Sequence, residues 1–389
     1  MKRLLVHLDV RHEASREMIG GILRYSAIHR SWEVQFAAAH PDNNPLSDYE
    51  SWRPDALIID AACHCYGHKT FRNLSGRAVV YVNTEPRKHT DLPHACIVTD
   101  DEALAKAAAA LFLRKGLRNF AYVGAPEPIQ YSIARERFFR ETLEKNGFAV
   151  STFPTPKAGP RHWLDRQAAL AKWLHRLPKP CGVWVAYDQR AKQVLDACRA
   201  GGIPVPEQIQ VLGVDDEAYI CEQTVPSLSS VAPDFENGGF RAMEFIDRAL
   251  DHPEQANSPN RLLFESRGIV ERLSTADVNG TARRVAAAYE FIRRHAQSDI
   301  GVGDIAMSLG VSTRLLQKNY RMVKGRTLIE DLQDERLARV RRMLRRTTTP
   351  IDAIGQFCGF KSASHLKTLF RRRFGMTMGE FRASGEIAT

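Results

Sequence analysis

Apolar and polar positions follow two different regimes along this chain. Over roughly the first 270 residues, apolar runs of strand length occupy residues 4–8, 33–37, 56–60, 79–83, 120–123, 182–186 and 209–214. Stretches of helical period separate them, at residues 16–29, 102–115, 134–146 and 191–200. Short runs that are apolar throughout suit strands covered on both faces. Their alternation with helices predicts parallel βαβ units, which right-handed crossovers stack into doubly wound sheets. Residues 98–101 and 225–231 read as crossings between two such sheets. A helix over 238–250 and a short strand over 262–264 follow.

Beyond residue 281 the strand pattern stops and only helical period remains. Val285, Tyr289 and Ile292 fall on one face of a helix over 282–295. Leu332, Leu337, Val340 and Leu344 lie along a face of another over 328–346, with Arg336 and several further arginines around them. A phrase repeats on either side of that second helix. Ile305-Ala306-Met307-Ser308-Leu309-Gly310-Val311-Ser312, with Leu316, Tyr320, Gly325 and Thr327, returns as Ile354-Gly355-Gln356-Phe357-Cys358-Gly359-Phe360-Lys361, with Leu366, Phe370, Gly375 and Thr377. The offset is 49 residues at Gly310/Gly359 and 50 at Gly325/Gly375. Each copy predicts a short helix, a turn at glycine and a second helix, which is a helix-turn-helix. The two units span about 302–322 and 351–373. At about 1.5 Å per residue the helix between them can hold two reading helices about one duplex turn apart. The polar stretch 272–281 lacks periodicity and is expected to link a domain over 1–271 to a helical domain over 282–389.

Charge sharpens this division. Residues 277–389 hold 21 Lys and Arg against 11 Asp and Glu, so the whole formal charge of +10 sits there and the preceding part is balanced. A neutral body with a basic end suits a ligand domain joined to a polyanion-binding domain. At 389 residues, with 44% hydrophobic and 26% charged content, the chain reads as an ordinary globular protein of two or three domains. No apolar run spans a bilayer. The opening stretch is interrupted by His7, Asp9 and Arg11, which favours a buried first strand over a signal peptide, so a cytoplasmic protein without membrane partners is expected. Seven scattered cysteines give no disulfide framework. Cys63-His64-Cys65-Tyr66-Gly67-His68 holds metal-ligand types, but Cys-x-Cys is tighter than zinc spacing and no second half exists, so no metal or cofactor is expected. The absence of a Gly-x-Gly-x-x-Gly after the first strand, of a phosphate loop and of a serine elbow argues against an enzyme.

Ser312 is placed to cap the first reading helix, with Leu315, Leu316 and Tyr320 inward and Arg314, Gln317 and Lys318 outward. Arginine and lysine suit guanine, and glutamine can pair bidentately with adenine. Ser362 would cap the second, with Leu366, Leu369 and Phe370 inward. Ala363 on the outer side leaves Ser364, His365, Lys367 and Thr368 to meet bases, while Arg371, Arg372 and Arg373 near the helix end suit phosphate.

Residues about 282–383 resemble the AraC/XylS class of transcription regulators, through Ile-Ala…Leu-Gly-Val-Ser, the connecting helix with Arg336, and the closing Gly359 to Arg382. Met378 departs from the proline usual in that class. The first 270 residues are similar to the sugar-binding core of LacI/GalR-type repressors and periplasmic binding proteins, without the repressors' N-terminal DNA-binding headpiece. The residues that match are Asp100-Asp101, Phe120-Ala121-Tyr122-Val123-Gly124, Arg135 with Phe138-Phe139, Ala186-Tyr187-Asp188, Val211 to Asp216, and Pro226…Leu228-Ser229-Ser230-Val231.

The fold expected is therefore a two-lobed α/β sensor followed by an all-α domain with two helix-turn-helix motifs. A cleft for a monosaccharide needs carboxylates and guanidinium groups at the C-terminal ends of strands, where Asp9, Asp188 and Asp215 lie. Arg135 aligns with the family's arginine for ligand hydroxyls, and Arg16 and Asp100 are further candidates. An aspartate after a strand is also a common helix cap. The resemblance implies a transcription activator of pentose catabolism, with D-xylose the first-choice effector. Its partners would be double-stranded operator DNA, RNA polymerase and a second copy of the chain. Two alternatives stay open: a repressor answering to another monosaccharide, and a DNA-repair protein with a reactive cysteine.

Overall fold

The computed structural model describes residues 1–37, 49, 51–60, 78–83, 94–154, 163–252, 260–276, 280–347 and 349–384. They fall into two compact units, Met1–Thr275 and Ala276–Thr389.

The first unit has two lobes. Lobe 1 opens with β1 (Lys2–His7), α1 (Glu13–His29), β2 (Trp32–Phe36), β3 (Ala56–Asp60), β4 (Ala78–Val82) and β5 (His94–Thr99). Lobe 2 holds α2 (Asp101–Arg114), β6 (Asn119–Val123), α3 (Gln130–Glu144), β7 (Val150–Thr152), α4 (Trp163–Arg176), β8 (Cys181–Val185), α5 (Asp188–Ala200), β9 (Ile209–Val214), the short α6 (Ala218–Cys221) and β10 (Ser229–Pro233). The chain then returns to lobe 1 for α7 (Phe235–Asp251) and β11 (Asn260–Phe264), and enters lobe 2 again as β12 (Ser266–Val270). Each lobe has one six-stranded sheet, ordered β11-β5-β4-β3-β1-β2 and β12-β10-β9-β8-β6-β7. All pairs run parallel except β10 with β12. Ala78–Val82 and Cys181–Val185 are buried along their whole length, as strands sandwiched between helices must be.

The chain crosses between lobes at Asp100, Asp234 and Glu265. The crossings are stitched together: Asp100 N donates to Phe264 O (3.0 Å) and Asp234 N to Glu265 O (2.9 Å). In lobe 1, α1 and α7 approach through glycines. A Cβ on Gly21 would stand 1.8 Å from the Glu236 carbonyl oxygen, and one on Gly239 2.0 Å from that of Met18.

The sequence pattern missed β7, β12, α4, α6 and α14, and took β5 and β10 only as crossings. β7 and β12 are short edge strands with polar residues, and α4 buries only Leu170 and Leu174. Part of the stretch expected as linker is packed into lobe 2. Ser274 and Thr275 are fully buried. Ser274 Oγ donates to Val211 O (2.6 Å) and accepts from Ser229 N (2.8 Å), and Thr275 Oγ1 lies 2.7 Å from Ser229 Oγ.

The second unit is helical: α8 (Gly280–His295), α9 (Val302–Ser308), α10 (Thr313–Lys324), α11 (Leu328–Arg346), α12 (Ile351–Phe357), α13 (Ala363–Phe374) and α14 (Met378–Ser384). It has two small cores. Val285, Ile292, Ile305, Leu316 and Tyr320 fill the first, and Ile354, Leu366, Phe370, Met378 and Phe381 the second. α11 serves both, giving Leu328 and Leu332 to one and Leu337, Val340 and Leu344 to the other. Among the described residues no helix is long and apolar enough to cross a membrane.

Candidate effector cleft and nucleic-acid interface

Arg135 sits one turn into α3 and is buried. Its Nε donates to Asp101 Oδ1 (2.8 Å), Nη1 to Ala186 O (2.5 Å) and Nη2 to Thr99 Oγ1 (3.3 Å). Tyr131, one turn earlier on the same helix, lies under the guanidinium at 4.9 Å. This arginine of lobe 2 thus reaches the end of β5 in lobe 1. Beside it an open pocket of about 280 Å³ is lined from lobe 1 by Asn83, Val98 and Thr99, and from lobe 2 by Gln130, Tyr131 and Ala134.

Asp188 begins α5 just beyond the end of β8, after Ala186 and Tyr187, and is fully enclosed. Its Oδ1 accepts from Ser230 Oγ (2.7 Å) and its Oδ2 from Glu217 N (2.8 Å), with Cys221 Sγ at 3.2 Å. Gly213 makes room for it, since a Cβ there would stand 2.0 Å from Asp188 Oδ1. Burial, reinforced by the nearby Asp215 charge, pushes Asp188 well above the ordinary carboxylate range. Asp215 follows β9 with φ of 107°, and Asp216 with φ of 54°. Two consecutive non-glycine residues at positive φ mark a strained turn. Burial pushes the Asp215 carboxyl up to about 7; Arg135 opposes the shift, while Glu217 and Asp101 add to it. Asp188 and Asp215 are thus acids that dry surroundings leave reluctant to ionise, with the buried Arg135 guanidinium close enough to oppose the shift of Asp215.

The other sequence candidates are engaged elsewhere. Asp9, at the end of β1, is gripped by Arg11 (Nε–Oδ1 2.9 Å, Nη2–Oδ2 2.6 Å), which holds its carboxyl down at about 2. Arg16 Nη1 donates to Val10 O (2.8 Å) and Arg11 O (2.9 Å), bracing the turn between β1 and α1. Asp100 caps α2, its Oδ1 accepting from Ala103 N (2.9 Å). So Arg135, Asp188 and Asp215 come together, whereas Asp9 and Arg16 serve one turn and Asp100 a helix end. Sequence reasoning chose Asp100 over its neighbour Asp101, and overlooked Thr99, Tyr131, Ser230 and Glu217. The capping role of the first aspartate in Thr-Asp-Asp is the signal that directs attention to the second. On the rim, Glu13 of lobe 1 accepts from Ala218 N of lobe 2 (2.8 Å), and Arg267 pairs with Glu17 (2.8 Å).

Cys181, Cys198, Cys221 and Cys358 are free thiols and buried, and Cys96 is buried as well. Burial pushes the Cys181 and Cys198 thiols up to about 12 and raises Cys221 and Cys358 as well, the opposite of an activated nucleophile. The Cys63–His68 cluster lies outside the described residues, and among those described no group of His, Cys, Asp or Glu could hold a metal ion.

In the helical unit the repeat is visible in atomic detail. Ser312 and Ser362 cap α10 and α13, accepting from Leu315 N (3.3 Å) and His365 N (3.2 Å). Gly325 and Gly375 end these helices at φ of 68° and 72°. Thr327 with Glu330, and Thr377 with Glu380, form matching capping boxes for the next helices. The Thr-x-x-Glu spacing in both copies was the unread signal. Met378 takes the first position of α14 and is buried, so its side chain fills core where a proline would only start the helix.

Arg314, Gln317 and Lys318 stand exposed on α10, and Ser364, His365, Lys367, Thr368, Arg371 and Arg372 on α13. Lys367 pairs with Asp352 across the surface (2.9 Å), and Thr368 Oγ1 bonds back to Ser364 O (3.1 Å). One inward assignment is corrected. Leu315 is 41% exposed, and Asn319 takes the buried place beside Leu316 and Tyr320, because the inward face runs 316-319-320 at helical spacing.

A two-lobed α/β sensor with tandem helix-turn-helix units on one chain defines a ligand-responsive, DNA-binding transcription regulator. Residues 109–275 match the periplasmic binding protein-like domain, and residues 305–384 a helix-turn-helix domain. The chain is 31% identical over 288 residues to the xylose operon regulatory protein of Escherichia coli strain K12, spanning 74% of this chain and 73% of that one. It is 30% identical over 288 residues to the protein of the same name from Haemophilus influenzae, at 74% of each. A solved xylose-binding transcription activator aligns with TM-score 0.58 and 26% identity over 99% of this chain and 98% of that one. A LacI family regulator from Enterococcus faecium shares the fold of the sensor, with TM-score 0.55 and 19% identity over 72% of this chain and all of that one. The chain belongs to the family of the xylose operon regulatory proteins. It is a transcription regulator, not an enzyme.

Proposed function

We propose that this regulator is switched by a pentose, D-xylose first, held between the two lobes of its sensor. Arg135 and Asp215 contact the sugar, and Asp188 fixes the turn that carries Asp215. The observation that carries this reading is the convergence of Arg135, Asp101, Asp188 and Asp215 where the lobes meet, with two carboxyls driven upward by burial. Sugar hydroxyls both donate and accept, so they can satisfy such groups where water is scarce. The names of its relatives support xylose as the effector and activation as the outcome. In this reading the protein works in the cytoplasm as a homodimer that presents RNA polymerase to a promoter. The sugar acts by binding one arrangement of the dimer more tightly than the other, since uniform binding shifts nothing.

Calorimetric titration with D-xylose, L-arabinose, D-ribose and D-glucose, paired with DNA-binding assays, tests the proposal. D-xylose is expected to bind best and to change DNA affinity by about 5–150-fold, the usual span of allosteric coupling. Arg135→Met and Asp215→Asn should abolish the response. If none of the four sugars binds, the effector assignment is wrong.

A further inference from the structure

The two helix-turn-helix units meet at a joint between the α8–α9 connection of the first and the turn of the second. Residues 296–300 connect α8 to α9, and three of their carbonyls turn toward α11. Arg336 collects all three: Nε donates to Ala296 O (2.8 Å), and Nη2 to Ser298 O (3.0 Å) and Ile300 O (3.2 Å). The turn of the second unit lands on the same spot. A Cβ on Gly359 would stand 2.3 Å from Ala296 O, 2.8 Å from Arg336 Nε and 3.1 Å from Ser298 O. Phe360 lies 5.9 Å from the guanidinium, and Lys361 pairs with Asp299 at 2.9 Å.

The repeat supplies its own control. Gly310 holds the equivalent turn in the first unit, at φ of +62° against +80° for Gly359. Both glycines answer the same backbone demand. Yet a Cβ on Gly310 would meet nothing within 4 Å. Close packing is thus required at one glycine of the pair only, and that glycine touches the loop of the other unit. Side chains on α11 already bind each half to the connecting helix, so the joint adds no core. It fixes how the halves are turned toward each other.

We propose that Arg336 and Gly359 are positioning residues for DNA binding: the joint sets the spacing and phase at which α10 and α13 enter the duplex. α11, at 19 residues, spans about 28 Å, and the joint adds a direct contact between the halves that braces their relative rotation. Two reading helices on one face of a duplex must match its turn, about 34 Å or 10 base pairs. A rigid joint makes the protein intolerant of any other spacing.

The test uses the full-length chain and a 40-base-pair duplex selected in vitro on that chain, as a two-box form, as forms with one or five base pairs inserted between boxes, and as a single-box form. Wild type should lose about tenfold in affinity at one inserted pair and roughly 100-fold at five, reaching its single-box affinity. Arg336→Met and Gly359→Ala should weaken two-box binding about tenfold, cut the one-pair penalty to within about threefold, and leave single-box binding within about twofold. Arg336→Lys, which cannot span three carbonyls with a planar fork, should fall between. Gly310→Ala should keep the wild-type spacing penalty. The proposal is overturned if Arg336→Met and Gly359→Ala retain that penalty, or if their single-box binding falls as far as their two-box binding, which marks loss of fold. Single-box binding by wild type tests DNA binding itself.

Discussion

Replacing Arg135 with methionine removes a cation enclosed between the end of β5 and lobe 2, and its cost can be worked from the contacts. Asp101 is buried and loses its 2.8 Å partner, keeping the Thr99 hydroxyl at 2.7 Å. Ala186 O and Thr99 Oγ1 each lose a donor. Breaking a buried pair by deleting one partner costs about 3–5 kcal/mol, mostly for the charge left behind. At about 2–4 °C per kcal/mol in a unit of this size, the melting temperature should fall by roughly 6–20 °C. The charge explanation makes a second demand: Asp101→Asn in the same background removes the stranded carboxylate, so the double variant should regain at least about half of the loss. Melting curves of the sugar-free protein at pH 7.5 read both quantities. A loss under about 1 kcal/mol, or a double variant no more stable than the single one, would refute the electrostatic account.

Three further outcomes follow from the same geometry. Asp215 has a folded pKa of about 7, above its ordinary value of 3.8, so its contribution to stability is full below that ordinary value and is lost as pH rises toward 7. Asp188 and Glu217 shift the same way, Asp101 adds like charge and Arg135 opposes, whereas Asp9 acts only at lower pH. The sugar-free sensor should therefore melt higher at pH 5.5 than at 7.5, and Asp215→Asn should flatten that slope; an unchanged slope in the variant assigns it to other groups. Gly213→Ala drives a Cβ to 2.0 Å from Asp188 Oδ1, so chemical denaturation should register a loss of about 1–3 kcal/mol from overpacking, and a neutral result would mean the carboxylate can move aside. Arg371→Ala and Arg372→Ala should each lower the slope of log affinity against log salt by about 0.9 on random-sequence duplex, and slopes equal to wild type would remove them from the phosphate contacts.

Much of this architecture could be read before any coordinates, for identifiable reasons. Strands such as Ala78–Val82 are apolar at every position because helices cover both faces, and the doubled Gly310 and Gly359 phrase repeats the demands of one backbone turn. Asp188 and Asp215 could be placed near each other because both follow the C-terminal ends of parallel strands that are neighbours in the sheet. What stayed hidden depends on direction rather than composition. Asp100 and Asp101 are the same residue type in adjacent places; the first turns back to cap α2 and the second turns inward to Arg135. Ser274 and Thr275 look like linker residues, and it is bonds to Val211 O, Ser229 N and the Ser229 hydroxyl that hold them in the interior. Leu315 reads as core until helical phase gives its place to Asn319.

The three crossings at Asp100, Asp234 and Glu265 also govern how the chain is assembled. Most of lobe 2 is inserted into lobe 1, whose sheet takes its edge strand β11 from residues 260–264 and whose α1 packs against α7 at residues 235–251, before β12 returns to lobe 2. During synthesis, β1 to β5 leave the ribosome some 160 residues ahead of the strand that completes their sheet. At about 5–20 residues per second, that leaves an open edge beside β5 for roughly 8–32 seconds. The helical unit, built from neighbours in sequence, carries no such delay. The sensor is thus the part of this regulator whose sheet waits longest for its last strand while the chain is being made.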